Sequence, residues 1–364
     1  MQTLSLSPSL KEREGSEAKL VRRREVSISD IARQAGVSHT TVSRALRDST
    51  LISRNVREQI QRLAREMGYT PNGIAQSLQT RRTNTIGLVV TSIADPFLND
   101  VVKGVEEVAR AANLSIFLSA THNDPDQEMT VIEMFHRRRV DGILVASSRI
   151  TREYKKRIDQ IRVPTVFINS QAEAQDSILH WVVVDDRLGA QIAVEHLLQL
   201  GHRSIGYAGI DSRPRSNRHR LEGYRDALAA AGVSCGESLV MISSGRDASD
   251  EEDVAAGQAA LPHFLHEGAT AVFCYNDMVA IGLLRACHEH GVLVPQKLSV
   301  IGFDDIAMAN YVTPALTTIR QPKVELGRLA TRVMLELLED QHSENHVLAP
   351  ELIVRSSTAA PVTA

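Results

Sequence analysis

The chain has 364 residues, of which 43% are hydrophobic and 23% charged, and a formal net charge of −3. That length exceeds one ordinary core, so two or three soluble globular domains are expected. No apolar run approaches the roughly 18–20 residues that a membrane span needs, and charges stand where an export signal needs a hydrophobic run, so neither membrane nor secretion is expected. The cysteines, Cys235, Cys274 and Cys287, are odd in number and form no CxxC, which predicts free thiols rather than a disulfide framework or a zinc site. The small net charge hides an asymmetry. Residues 1–82 carry 15 Lys and Arg against 8 Asp and Glu, a balance of +7; the remainder carries 26 against 36, a balance of −10. A basic head on an acidic body fits a polyanion partner for the head alone, or simply an arginine-rich solvated surface.

Residues 1–26 are polar, rich in Ser, Glu and Arg, and read as a disordered extension. Residues 27–70 read as three short helices. Ser29 can cap the first, with Ile31, Ala32 and Ala35 inward, and Gly36 supplies a turn. Ser38 can cap the second, in which Val42 and Leu46 share a face. Ser53 can start the third, with Val56, Ile60, Leu63, Ala64 and Met67 at helical spacing, and Gly68 can stop it. Residues 71–84 form a linker in which Pro71 and Asn72 break the pattern and Ile74, Ala75 and Leu78 give one short apolar face. From Thr85 onward short β runs alternate with helical stretches such as 97–112 and 187–200. "TIGLVVT", "DGILVAS", "RSIGYAG", "AVFCY" and "LSVIGF" are among those runs. Apolar strands without strict alternation are covered on both faces, and repeated β–α–β units imply doubly wound parallel sheets. About 280 residues of this pattern exceed one small sheet, so two sheets with a cleft are expected, with ligands at the carboxyl ends of strands.

Two helices joined by a tight glycine turn form a helix-turn-helix, whose second helix enters the major groove. Here that helix begins at Ser38, with His39 and Thr40 in its first turn and Arg44 one turn on. Arg44 can donate two hydrogen bonds to a guanine edge, and His39 and Thr40 can meet bases or phosphates. Ser38, Arg33, Arg54 and Arg57 are expected on phosphate. On spacing alone, a three-helix bundle with a docking role stays open.

"SISDIARQAGVSHTTVSRALRDSTLISRNVREQIQRLAREMGYTPNGIAQSLQTRRTNTIGLVV" resembles the lactose/galactose-repressor family of bacterial transcription regulators. The likeness continues through "ADPFLNDVVKGVE", "HLLQLGHRSIGYAG", "RLEGYRDAL", "AVFCYNDMVAIGLL", "VIGFDD" and "PALTTIRQP", and covers about residues 27–358. It implies a small all-α helix-turn-helix domain plus hinge helix, joined to a two-lobed α/β domain of periplasmic-binding-protein-like fold with doubly wound parallel sheets. It implies one lobe from 85–181 with 322–350, and a second from 182–321 with 351–364. Within the linker it implies a hinge helix that folds on DNA, with Asn72, Ala75 and Leu78 at the minor groove and Leu78 as an apolar wedge. It further implies a repressor bound to a near-palindromic double-stranded operator, located in the cytoplasm at the nucleoid. The effector implied is a small polar molecule, a sugar or sugar acid.

Carried over position by position, the resemblance places Asp95, Phe97, Ser147, Asn169, Arg220, Asn276 and Asp304 around that effector. An arginine facing aspartates and amides suits hydroxyl groups. Bland alternatives stand beside these roles: Asn276 as a helix cap, Phe97 as core, Asp305 as structure. Arg213, Arg215, Arg218 and Arg220 form either a solvated loop or a preference for an anionic effector. Trp181 reads as structural. No apolar heptad follows "ELIVRSS", so a homodimer rather than a tethered tetramer is expected. An enzyme is disfavoured by the lack of GxGxxG after a strand, GxxxxGK[ST] or GxSxG, and no cofactor is expected. His288 and His290, two apart on a helix, point away from each other and make a poor metal pair. An exported sugar-binding protein would have no use for residues 27–79.

Overall fold

The computed structural model describes residues 26–70, 82–122, 124–146, 158, 160–170, 179–234, 236–244 and 249–362. The chain divides into two compact units, Met1–Gln79 and Thr80–Ala364. Asn72, Ala75 and Leu78, expected in a hinge helix, lie outside the described residues, as do residues 1–25 and Ser147.

In the first unit, helices α1 (Ile28–Ala35), α2 (His39–Leu46) and α3 (Arg54–Glu66) follow one another closely. The cap of α1 is Ser27, not Ser29. A capping box forms there, with the Ser27 side chain accepting from the Asp30 amide and the Asp30 carboxylate accepting from the Ser27 amide. Asp30 completes a reciprocal pair that a cap at Ser29 could not use. Gly36, with φ of +66°, ends α1 in the left-handed conformation that glycine adopts without steric cost. Ile31, Ala32, Val42, Ala45, Ile60 and Ala64 form the core, with Ala35, Leu46, Val56, Leu63 and Met67 packed against it. Gln61 on α3 donates to the Ala45 carbonyl and to Asp48, satisfying an acceptor at the end of α2.

The second unit contains two six-stranded sheets. Strands β1 (Thr85–Val90), β2 (Ser115–Ala120), β3 (Gly142–Ala146), β4 (Thr165–Ile168), β5 (His180–Val184) and β11 (His346–Leu348) make the first, in the order β11-β5-β4-β3-β1-β2. The second holds β6 (Ile205–Ile210), β7 (Val240–Ser243), β8 (Ala271–Cys274), β9 (Ser299–Asp304), β10 (Thr317–Arg320) and β12 (Glu351–Ile353), in the order β12-β10-β9-β8-β6-β7. All neighbours run parallel except β10 and β12. Each sheet thus repeats one plan: its first strand lies between its second and third. The gap between first and third strands is a topological switch point, where connections leave towards opposite faces and open a crevice.

Helices α4 (Pro96–Ala111), α5 (Pro125–Arg137) and α10 (Lys323–Leu338) cover the first sheet. Helices α6 (Asp186–Gln199), α7 (Pro214–Ala230), α8 (Asp250–His266) and α9 (Asp277–Glu289) cover the second. Helices α4 and α10 meet backbone to backbone. A Cβ on Gly104 would fall on the Val324 carbonyl oxygen, and one on Gly327 on that of Val101. The chain passes between lobes at 184–186, 320–323 and 348–351. A boundary after Trp181 cuts through β5, because Val182, Val183 and Val184 pair with β11 in the first sheet. Trp181 is half-buried and packs on the first lobe's core. Cys274 and Cys287 are buried and free.

Candidate functional site

On the first unit, the sequence's candidate reading residues form an exposed face. Ser38 caps α2: its hydroxyl accepts from the Thr41 amide at 3.1 Å and lies 2.8 Å from the Thr41 hydroxyl. Val42 and Ala45 turn inward, which leaves His39, Thr40 and Arg44 on the solvent side of the helix. Arg44 makes no ion pair among the described residues. The other basic residues differ. Arg33 pairs with Asp30, Arg54 with Glu58, and Arg57 with Asp48, while the Arg57 guanidinium also donates to the Asp48 and Ser49 carbonyls. Arg57 is therefore first a clamp on the turn after α2.

On the second unit, the candidate effector residues gather at the carboxyl ends of strands. Asp95 follows β1 and caps α4, its Oδ1 accepting from the Phe97 amide at 2.9 Å. Its Oδ2 meets Nη2 of Arg213 at 3.0 Å, across from one lobe to the other. Arg213 follows β6 and immediately precedes α7, so the pair joins the two switch points. Burial works hardest against the Arg213 charge, but Asp95, with Tyr275, Asp253 and Asp304 behind it, together outweigh it and raise its pKa.

Arg220, on α7, is 4% exposed. Its Nε donates to Asp186 at 2.8 Å, its Nη1 to the Tyr275 carbonyl at 2.5 Å, and its Nη2 stands 3.7 Å from Asp304. The guanidinium carbon lies 3.7 Å from the ring centre of Phe303 and 4.5 Å from that of Tyr275, a stack that favours a cation in a desolvated setting. Burial again opposes the charge most, and Asp186, Tyr275 and Asp304 together overcome it. Asp304 ends β9 with φ of +112° and accepts from Gln321 at 2.6 Å. Burial pushes its carboxyl up to about 6, despite the pull of Arg220 and Lys323.

Asn276 caps α9, accepting from the Val279 amide, while its Nδ2 donates to Asp253 at 2.7 Å. Burial raises the Asp253 carboxyl as well. Asn169 follows β4 with φ of +51°, donates to Gln321 and accepts from the Val184 amide. Gln321 thereby links Asn169 of the first lobe to Asp304 of the second. Lys323 donates to the carbonyls of Asp304 and Asp305.

The structure thus brings together Asp95, Asn169, Arg220, Asn276 and Asp304. Phe97 is 5% exposed and sits in the first lobe's core with Leu88, Val90 and Val101, beneath the site. Sequence reading left out Asp186, Asp253, Phe303, Tyr275, Gln321 and Lys323. Gln321 carried a usable signal, since it stands where a strand ends and the chain changes lobe. Asp253, inside the acidic run of α8, carried none. Asp305 accepts from Arg320 and Arg355 and holds the second lobe together. Among the described residues no group of His, Cys, Asp and Glu could hold a metal ion, and no helix is long and apolar enough to cross a membrane.

Comparison with known proteins accords with both halves. Residues 27–72 match the family described as "Bacterial regulatory proteins, lacI family", and residues 194–358 match the "Periplasmic binding protein-like domain". The HTH-type transcriptional regulator GalS of Salmonella typhimurium is 35% identical over 339 residues, 92% of this chain and 97% of that protein. The HTH-type transcriptional repressor PurR of Vibrio campbellii is 33% identical over 333 residues, 91% of this chain and 98% of that protein. Among solved structures, the lac repressor dimer bound to operator and the anti-inducer ONPF aligns with a TM-score of 0.81 at 26% identity, over 93% of this chain and all of that one. The complex of the transcriptional regulator CelR with cellobiose aligns at 0.69 and 28% identity, over 92% of this chain and 100% of that one. An exposed helix-turn-helix and a two-lobed body with polar groups at both switch points are thus found together along one chain, which belongs to the lacI family of bacterial regulatory proteins as a DNA-binding transcriptional regulator.

Proposed function

We propose that the chain is a dimeric repressor whose operator affinity is set by a neutral sugar held between the lobes of its body. The charge balance of the interlobe site carries this reading. Arg213 faces Asp95, and Arg220 faces Asp186 and Asp304. A sugar's hydroxyls meet fixed donors and acceptors there without bringing a charge of their own. A sugar acid would set a carboxylate beside Asp95, Asp186, Asp253 and Asp304, where both arginines are already matched. This weighs against the anionic effector that the arginines of 213–220 invite. Phe303 and Tyr275, both buried, stack on the Arg220 guanidinium and hold it in place for such a ligand.

At the other end, His39, Thr40 and Arg44 read base edges, and Asn72, Ala75 and Leu78 keep the hinge role inferred from the family. Two copies read one near-palindrome, a half-site each. Phe117 and Leu118 on β2 and Ile242 on β7, all more than 40% exposed, support pairing of two chains along the matching sheet edges. The mechanism is linkage: sugar and operator each favour one lobe arrangement, so each changes the other's affinity by the same factor.

The test is a thermal-shift screen of neutral sugars and the matching sugar acids on the full chain, followed by calorimetry on wild type and Arg220→Lys. A neutral sugar is expected to stabilise the body and to bind roughly tenfold more weakly to the variant, because an ammonium cannot reproduce the guanidinium fork. Stabilisation by sugar acids alone would overturn the assignment.

A further inference from the structure

The Asp95–Arg213 pair holds a position in the topology that the rest of the polar cluster does not. The chain changes lobes next to β5, β10, β11 and β12, which makes that side of the sheets the hinge. Gln321 and Lys323 lie in one of those crossings, Asn169 and Asp304 bond to residues of the crossings, and these hydrogen bonds join the lobes at the hinge itself. Asp95 follows β1 and Arg213 follows β6. Three strand spacings separate β1 from β5, and three separate β6 from β10. At about 4.8 Å per spacing, the strands that carry this pair lie roughly 14 Å from the hinge strands. The pair therefore closes the far mouth of the crevice, where a small force has the longest lever arm.

Its chemistry suits that place. Asp95 is held rigidly, because its other oxygen caps α4. The Asp95 side chain is 6% exposed and that of Arg213 20%, so salt screens the contact weakly while a ligand entering the mouth can still reach it. We propose that Asp95–Arg213 is an interlobe latch: it holds the body closed without effector, and Arg213 is the gate that an incoming effector must displace from Asp95. This rests on the proposed sensor role of the same site and adds how that site is set before any effector arrives.

The experiment needs no effector. Spin labels on an exposed position of each lobe report the interlobe distance in the full-length protein, for wild type, Asp95→Asn, Arg213→Gln and the double variant. Asparagine still caps α4, so the variant keeps its fold; the thermal midpoint and Arg213→Lys, which restores a cation, serve as checks. Each single variant is expected to lengthen and broaden the distance, the double variant to add nothing further, and Arg213→Lys to recover much of the wild-type distribution. Operator affinity without effector is expected to shift about tenfold in the same variants, within the usual range of coupling between sites. Wild-type distances in both single variants, or additive effects in the double, would overturn the latch. A changed distance with unchanged operator affinity would keep the latch and instead sink the coupling of lobes to DNA on which the proposed function stands.

Discussion

The two units use polar side chains in opposite ways. On α2 the residues assigned to bases, His39, Thr40 and Arg44, point to solvent, and Arg44 has no ion-pair partner among the described residues. In the body, Arg220, Asn276, Asn169 and Asp304 are each bonded within the protein before any ligand comes. An exposed face can address a large, hydrated partner at little desolvation cost. A buried site must have its charges matched beforehand, since an unpaired buried charge destabilises the fold. The head is thus a free surface on a rigid support, and the body a preorganised network that a ligand must re-partner.

Several substitutions would break or sharpen this contrast. Arg220→Ala has the largest expected effect: it leaves Asp186 and Asp304 facing each other without their cation, and should destabilise the body by about 3–5 kcal/mol in denaturant unfolding. A body as stable as wild type would mean that the network is not preorganised. Arg44→Ala should leave the melting of the head unchanged and relax preference at one guanine by about 1–3 kcal/mol, read by binding to operators varied base by base. Loss of head stability would show that Arg44 is not a free reader.

Asp304 offers a test by pH. The folded body keeps its proton up to about pH 6, whereas an ordinary aspartate gives it up near 3.8. The folded state therefore binds more protons in that window, and this contribution to stability, full below the lower value, is lost as pH rises through 6. Asp304→Asn should flatten that decline in unfolding experiments at about pH 5 and about pH 7.5; an identical slope would count against the burial argument. The smallest effect is expected for Ser38→Ala, which removes a helix cap and should lower head stability by about 1 kcal/mol with Arg44 still exposed.

Most of the architecture is legible in the residues because periodicity reports burial. Ile31, Val42 and Ile60 announce three packed helices, and the strands' Val, Ile and Leu runs announce two covered sheets. Caps were harder. Ser27 and Ser29 are both serines near a helix start, and only the reciprocal bond to Asp30 decides between them. The site was legible where a residue ends a strand, as Asp304 does, or stands in the loop that follows one, as Asp95, Asn169 and Asn276 do. It was illegible where a partner arrives from a distant segment. Nothing local in Asp186 or Asp253 signals the arginine or amide it meets through the fold, and Phe97, which by itself reads as core and only by the resemblance as pocket, is core.

The most direct measurement of the central claim is a pair of titrations on one purified protein. Operator affinity is measured with and without the sugar that best stabilises the body, and sugar affinity with and without saturating operator. Linkage requires both affinities to change, and by the same factor. A sugar that binds the body tightly and leaves operator affinity where it was would contradict it.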